Sequence, residues 1–429
     1  ESGFPKSYLK GEPAADRAFD LNYDPYLQVT KRLEMLVGQG HNVDKMELRI
    51  IGGTWSFYDQ AYKKWFVKRC FEAANNFGKK RIHRQNSLLM AQKQNEKAKV
   101  RIVGLSVETR PDYITEKEVK NLRQLGVTMV ELGVQSVFND ILLINQTGLT
   151  EEIIAQATKI LRKGGFKILY HLMPNLYGSN RKKDLLMFQK VFNDKQFKPD
   201  WIKIYPVVVM ENTKLYQLWK EGKYQPYSNE QLINLLIEVK KSLPYWVRVA
   251  RIVRDIPAPR IAAGTKISNL REIIQREMKK KNLVCHCIRC REIRESYNPK
   301  EKVFLFREDY EVSDGKEIFL TFENKERTKL YSLLRLHILN KNEQSIFKSL
   351  KEASLIREIR TYGELVPLEK KDFAPQHRGL GKKLIKESEK ITMKEFNLDK
   401  IAVIASVGTR DYFRKQGFRL EESYMIKKI

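Results

Sequence analysis

The chain has 429 residues, 42% of them hydrophobic, which is enough for two or three domains with real cores and excludes wholesale disorder. Lysine and arginine exceed aspartate and glutamate by 28, which predicts a polyanionic partner: DNA or RNA first, an acidic membrane surface second. No apolar run is long enough to span a bilayer and no signal-peptide pattern is present. The four cysteines, three of them in "CHCIRC", exclude a secreted disulfide framework, so we expect a cytoplasmic chain.

The chain opens "ESGFPKSYLKG" without an initiator methionine, and further sequence is expected upstream. From about residue 45 to 257, short β-rich runs alternate with helical stretches. The runs span 46–53, 99–108, 128–136, 166–174, 201–210 and 246–257. Thr115 with Glu118 reads as a capping box and Gly126 as its helix stop, while Thr150 followed by Glu151 and Glu152 opens another helix. Six strands separated by helices predict parallel pairing through crossover helices. Near-continuous apolar runs suit strands covered on both faces. The expected class is α/β, with a full or partial (β/α) barrel over residues 1–265 and its chemistry at the carboxyl ends of the strands.

Residues 266–300 read as a basic, cysteine-rich linker, and 301–429 as a compact α+β domain. The latter begins with three antiparallel strands, "KVFLF", "EIFLTF" and "YSLLRLHIL". A strand "ASLIREIRTYG", a glycine loop with its helix, a strand "KIAVIASVG", a helix "TRDYFRKQG" and a last strand follow.

The glycine loop, "QHRGLGKKL" at 376–384, follows a strand and opens a helix. Glycines let the backbone approach a ligand, and helix N-terminal amides point at an anion. The spacing Q/R-x-x-G-x-G/A resembles the pyrophosphate loop of acetyl-CoA-dependent N-acetyltransferases, the GNAT superfamily. A tight strand-to-helix turn is the competing reading. Tyr412 resembles the tyrosine that protonates the departing CoA thiolate in that family, against a plain core aromatic. Earlier in the chain, Gly52, Gly53 and Thr54 resemble the segment of radical S-adenosylmethionine enzymes that meets the methionyl amino group. Glu108 and Arg110, in "SVETRPD", suit the ribose hydroxyls and the methionyl carboxylate. As an exposed ion pair they would contribute only about 0–1 kcal/mol.

These segments, with "PKSY", "GHNVDKMELRIIGGTW", "VELGVQSV", "YHLMP", "WVRVARIVRDIP" and "VGTRDYFRKQGF", resemble the catalytic-subunit family of Elongator over nearly the whole chain. The resemblance implies a radical SAM-type barrel followed by a GNAT acetyltransferase domain, in an archaeal form working without the eukaryotic partner subunits. It implies an enzyme acting on the anticodon stem-loop of tRNA, with no membrane partner and room for a homodimer. The reaction would use acetyl-CoA and S-adenosylmethionine to start a carboxymethyl group at C5 of the wobble uridine. Residue by residue, the CoA site maps onto Glu358, Ile359, Arg360, Thr361, Gln376, Gly379, Leu380, Gly381, Lys382, Tyr412 and Phe413. Lys93 falls at a barrel position that reaches acetyl-CoA and steers the acetyl group; a solvated lysine is its alternative. A protein (histone) lysine acetyltransferase and a tRNA-binding scaffold without radical activity are the rival functions.

Two departures stand out. The family's [4Fe–4S] cysteines lie upstream of a "P-x-S-Y" like that at Pro5 to Tyr8, and none precedes the first strand here, so the cluster segment is expected to be missing. Phe413 replaces a second tyrosine. Cys70 stands alone in a helical run and reads as core. Cys285, Cys287 and Cys290 form C-x-C-x-x-C and suggest a structural zinc site, with His337 the candidate fourth ligand against an ordinary half-buried histidine; three uncoordinated thiols are the alternative. For RNA contact the candidates are Lys279, Lys280, Lys281, Arg289, Arg291 and Arg294, with the basic runs at 181–183 and 79–84.

Overall fold

The six apolar runs form one parallel sheet. In this computed structural model, which describes residues 8, 11–294, 301–363 and 379–429, the strands are β1 (Lys45–Ile50), β2 (Arg101–Thr109), β3 (Met129–Gln135), β4 (Lys167–Leu172) and β5 (Trp201–Ile204). A short β6 (Val209–Met210), β7 (Arg248–Ile252) and β8 (Ile261–Ala263) follow. The sheet order is β1-β2-β3-β4-β5-β7, a partial barrel of six strands among the described residues. Only half of the expected capping box forms, because the Glu118 carboxylate goes to Lys63 and Asn121 instead of the Thr115 amide. Thr115 accepts from the Glu118 amide at 3.1 Å, and Gly126 ends that helix at φ +89°.

Two runs break earlier than their hydrophobicity suggests. Residues 201–210 are not one strand. Pro206 has no amide to donate to a ladder, and β6 leaves the main sheet to pair antiparallel with β8. Likewise β7 stops at Ile252, because Val253 turns the chain at φ +72°.

The second sheet contains β9 (Phe304–Val312), β10 (Gly315–Glu323), β11 (Leu330–Leu339), β12 (Ser354–Thr361), β13 (Lys400–Val403), β14 (Arg419–Glu421) and β15 (Tyr424–Lys428). Its order is β14-β15-β13-β12-β11-β10-β9, and β12–β13 is its parallel pair. One face buries Ile318, Leu336, Ile356, Leu384, Phe413 and Met425. The other face, through Phe319, Leu333, Leu355 and Ile426, merges with the barrel core around Ile168 and Val247.

A bulge in β12 shapes that junction. Arg335 pairs with Glu358 and Leu336 with Ile356, leaving Arg357 as the extra residue. Both Arg357 and Glu358 then reach the barrel side. Arg357 meets Asp200 at 2.5 Å, Glu317 at 2.8 Å and the Phe166 carbonyl at 2.6 Å. Arg335 binds Glu358 at 2.9 Å and the Trp246 carbonyl at 2.6 Å. Phe166, Asp200 and Trp246 all precede strands, so the second sheet sits against the amino-terminal end of the barrel.

His337 belongs to this network and not to the cysteines. Its ring nitrogens lie 3.2 Å from Asp314 and 3.0 Å from Glu317, which corrects its expected role as a metal ligand. Burial lowers its pKa, but those two carboxylates outweigh burial and raise it to about 8. Protonated His337 therefore stabilises the fold fully below about pH 6.5, and that contribution, about 2 kcal/mol, fades as pH rises through 8. Denaturant midpoints measured from pH 6 to 9 should fall less steeply for His337→Gln than for the parent chain.

Candidate active site

On the side of the second sheet, Gly379 adopts φ +69° and starts the helix Leu380–Phe396. The first turn of a helix has amides with no partner inside the helix, an end of the kind that can take an anion. Gly381 is the contact point. A β-carbon there would lie 3.1 Å from the Tyr412 hydroxyl, 3.7 Å from Thr361 Oγ1 and 3.8 Å from Ile359 Cδ1. Four of the anticipated residues thus converge. Tyr412 is partly exposed, and burial pushes its hydroxyl pKa up, which keeps it protonated as a proton donor must be. Lys382 is exposed beside the loop. Leu380 and Phe413 are buried, and Phe413 packs against Phe418 in the core. Glu358 and Arg360 turn the other way: Glu358 pairs with Arg335 and Lys167, and Arg360 meets Glu47 on β1 at 2.9 Å. Gln376 lies outside the described residues.

At the barrel's carboxyl end, Gly52 and Gly53 carry φ of +135° and +113°, and the space where a Gly52 side chain would stand is open. The backbone can be approached closely there. Thr54 leads into the turn Trp55–Phe57. Glu108, near the end of β2, accepts from the Tyr8 hydroxyl at 2.6 Å and lies 3.5 Å from His171 Nδ1. Arg110 binds Asp112 and the Thr147 carbonyl.

Three lumen residues were not anticipated. His171 on β4 and Lys203 on β5 both contact Glu131 on β3, the histidine at 3.1 Å. Burial would raise the Glu131 carboxyl, but the His171 hydrogen bond and the Lys203 charge hold it at about 2. Each is a polar residue interrupting an apolar strand, and that interruption was the available signal. From them a chain of charges runs toward the second sheet: Arg49 lies 3.9 Å from Glu131 and 3.6 Å from Glu47, which meets Arg360. The side chains of Glu47 and Arg49 are 37% exposed, so solvent enters along this edge.

Lys93 is exposed on the helix Leu88–Asn95. The residue ending that helix, Glu96, binds Arg410 at 3.0 Å and Arg414 at 2.7 Å, on either side of Tyr412 in sequence. Lys93 therefore rides on the barrel helix that docks against the Tyr412 turn.

The Sγ atoms of Cys285, Cys287 and Cys290 lie within 4.8 Å of one another. Zinc–sulfur bonds of about 2.3 Å need sulfurs about 3.8 Å apart, so the trio is compact enough to supply three of the four ligands of a tetrahedral zinc. Lys240 Nζ approaches Cys285 at 3.3 Å and Cys290 at 3.5 Å. The trio packs where the Ile288 amide meets the Val247 carbonyl, just before β7. That is the opposite end of the sheet from Gly52. The barrel mouth holds no comparable cysteine group among the described residues, so they offer no seat for an iron–sulfur cluster there.

The basic candidates divide by environment. Lys79, Lys80, Arg81, Arg84, Arg181, Lys182, Lys279, Lys280 and Lys281 are exposed. Lys183 pairs with Asp140, and Arg289 and Arg294 both bind Glu292. Arg291 is buried against Glu323 at 2.5 Å, which removes it as an RNA contact. No helix among the described residues is long and apolar enough to cross a membrane.

Comparison with known proteins agrees with this geometry. The Radical SAM superfamily model matches residues 21–188, and the Radical SAM C-terminal domain model matches 199–280. The tRNA uridine(34) acetyltransferase of Methanocaldococcus infernus is 43% identical over 99% of this chain and 80% of its own length. Elongator complex protein 3 of Bos taurus is 36% identical over 99% of this chain and 77% of its own length. The solved archaeal Methanocaldococcus infernus Elp3 with an N-terminal deletion superposes with a TM-score of 0.89 at 42% identity, covering 96% of this chain and 97% of that one. Partial radical SAM barrel, fused mixed-sheet domain and full-length similarity together place this chain in the Elongator complex protein 3 family, that of the tRNA uridine(34) acetyltransferases.

Proposed function

We propose that the chain modifies the wobble uridine of tRNA, starting a carboxymethyl group at C5 with acetyl-CoA as the carbon donor. The observation that carries this reading is the convergence of Gly381, Thr361, Ile359 and Tyr412 in the first turn of the helix Leu380–Phe396, in a chain that also owns a radical SAM barrel. Uracil C5 is a poor nucleophile toward a thioester, which is why a second cofactor domain shares the polypeptide. S-adenosylmethionine would supply a hydrogen-abstracting radical only with a reduced [4Fe–4S] cluster beside it, and the described residues hold no cysteines for one at the barrel mouth.

The chain's own residues do the rest. Helix amides near Gly381 take the CoA pyrophosphate, and Tyr412 returns a proton to the departing thiolate sulfur. Gly52, Gly53 and Thr54 form the open backbone edge for the methionyl group, with Glu108 and Arg110 beside it. The exposed Glu47–Arg49 edge reaches from the Glu131 cluster to Arg360 and is the path we assign to the acetyl group, with Lys93, on the helix docked against the Tyr412 turn, as the residue that steers it. The partner is the tRNA anticodon stem-loop, drawn by the net charge of +28.

The test is incubation with labelled acetyl-CoA and either tRNA or histone. Thioester hydrolysis stimulated by tRNA alone supports the proposal. Label on lysine replaces it with protein acetylation. Tight tRNA binding without turnover, from a chain carrying its natural N-terminus, replaces it with a scaffold role. The cysteine trio is assigned to structural zinc. The purified chain should carry about one equivalent of zinc and Cys287→Ser close to none, read by elemental analysis; no zinc in either removes the assignment.

A further inference from the structure

A cavity of about 130 Å³ opens at the carboxyl end of β7, outside the residues assigned above. One wall is the turn Arg251 to Ile256, and the other is Thr265 to Ser268. Three cations, Arg251, Arg254 and Lys266, line it against one carboxylate, Asp255. Arg251 pairs with Asp255, and Arg254 binds Glu12 at 2.8 Å, so two of the cations are held in place by acids. Lys266 is exposed at the rim. Thr265 is buried, and its Oγ1 accepts from the Ile267 amide at 3.3 Å, leaving its hydroxyl proton for another acceptor.

The turn that makes this wall is strained. Val253 holds φ +72°, a conformation a β-branched residue rarely adopts, anchored by its amide to the Ile204 carbonyl at 3.0 Å. An extended continuation of β7 would carry Arg254 past the cavity. The Arg254 guanidinium lies over the Tyr8 ring at 5.4 Å, and Tyr8 donates to Glu108. The cavity therefore borders the barrel mouth.

We propose that this cavity is an anion site that grips a backbone phosphodiester of bound RNA, close to the nucleotide entering the barrel. The reasoning is chemical. Guanidinium, ammonium and hydroxyl donors around a small polar cavity fit a phosphate and repel a metal ion. A chain with an excess of 28 cations needs points where that charge becomes position rather than mere attraction. The inference rests on the tRNA reading and adds where the RNA backbone is held.

The experiment is a binding cycle with a synthetic anticodon stem-loop, whose linkages flanking the target uridine are made neutral one at a time with methylphosphonate. Lys266→Gln should flatten the dependence of log Kd on log salt by about 1. One neutral linkage should weaken binding to the parent chain several-fold and leave binding to Lys266→Gln unchanged. Thr265→Val should weaken the same linkage's contribution. If every neutral linkage costs both proteins equally, the site is not a phosphate clamp, and the tRNA reading survives. If the parent chain does not bind the stem-loop at all, both fall together. If Lys266→Gln instead loses S-adenosylmethionine or inorganic phosphate binding with no RNA coupling, the anion belongs to a small molecule and the proposal is overturned.

Discussion

Arg357→Leu should destabilise the protein by about 3–5 kcal/mol, the largest single effect we expect. The arginine is buried, and its guanidinium is shared by Asp200, Glu317 and the Phe166 carbonyl. Burial would raise the Asp200 carboxyl, and Arg357 with Arg335 holds it below its usual range. Leucine removes one buried charge and leaves Asp200 with Arg335 and Glu317 with His337 as their remaining cationic partners, so the cluster is short of one cation. Urea unfolding followed by fluorescence reads the loss as a lower midpoint. Asp200→Asn added to Arg357→Leu should recover part of it, because an amide is cheaper to bury than a carboxylate that has lost a cation. An unchanged midpoint in the single variant would mean the network contributes nothing net.

Tyr412→Phe should lower tRNA-stimulated thioester hydrolysis by about 10²–10⁴-fold, the range ascribed to a positioned proton donor. The hydroxyl lies at the helix start beside Gly381, and phenylalanine keeps the ring while removing the proton. The loss should appear in kcat and kcat/KM alike, with KM for acetyl-CoA nearly constant. A rise in KM alone would make Tyr412 a packing residue. Phe413 supplies an internal comparison. It is buried against Phe418, so Phe413→Leu should cost stability and spare the acid–base profile.

Much of the architecture was legible because it rests on local signals. Alternation of apolar runs with capped helices gives six parallel strands, and Thr115, Gly126 and Thr150 act as their positions suggest. β12, the helix from Leu380 and the Tyr412 turn were readable for the same reason, since motif order survives in the chain, while residues 376–378 of the glycine loop lie outside the described residues.

What failed to show is long-range. Arg357 and Asp200 are 157 residues apart, and nothing near either one names the other. Arg291 sits in a basic run that suggests a solvated face, yet Glu323 on β10 takes it into the interior. His337 attracted attention as a spare ligand only because its two carboxylates were invisible at sequence level. The breaks after Ile204 and Ile252 also escaped, because hydrophobicity continues where the backbone turns away.

The merging of the second sheet's inner face with the barrel interior makes the fusion more than a tether between two catalysts. Cutting the gene between the halves would expose a greasy surface on each piece. Loss or swap of one half during evolution is correspondingly hard, so the pair should be inherited as a unit.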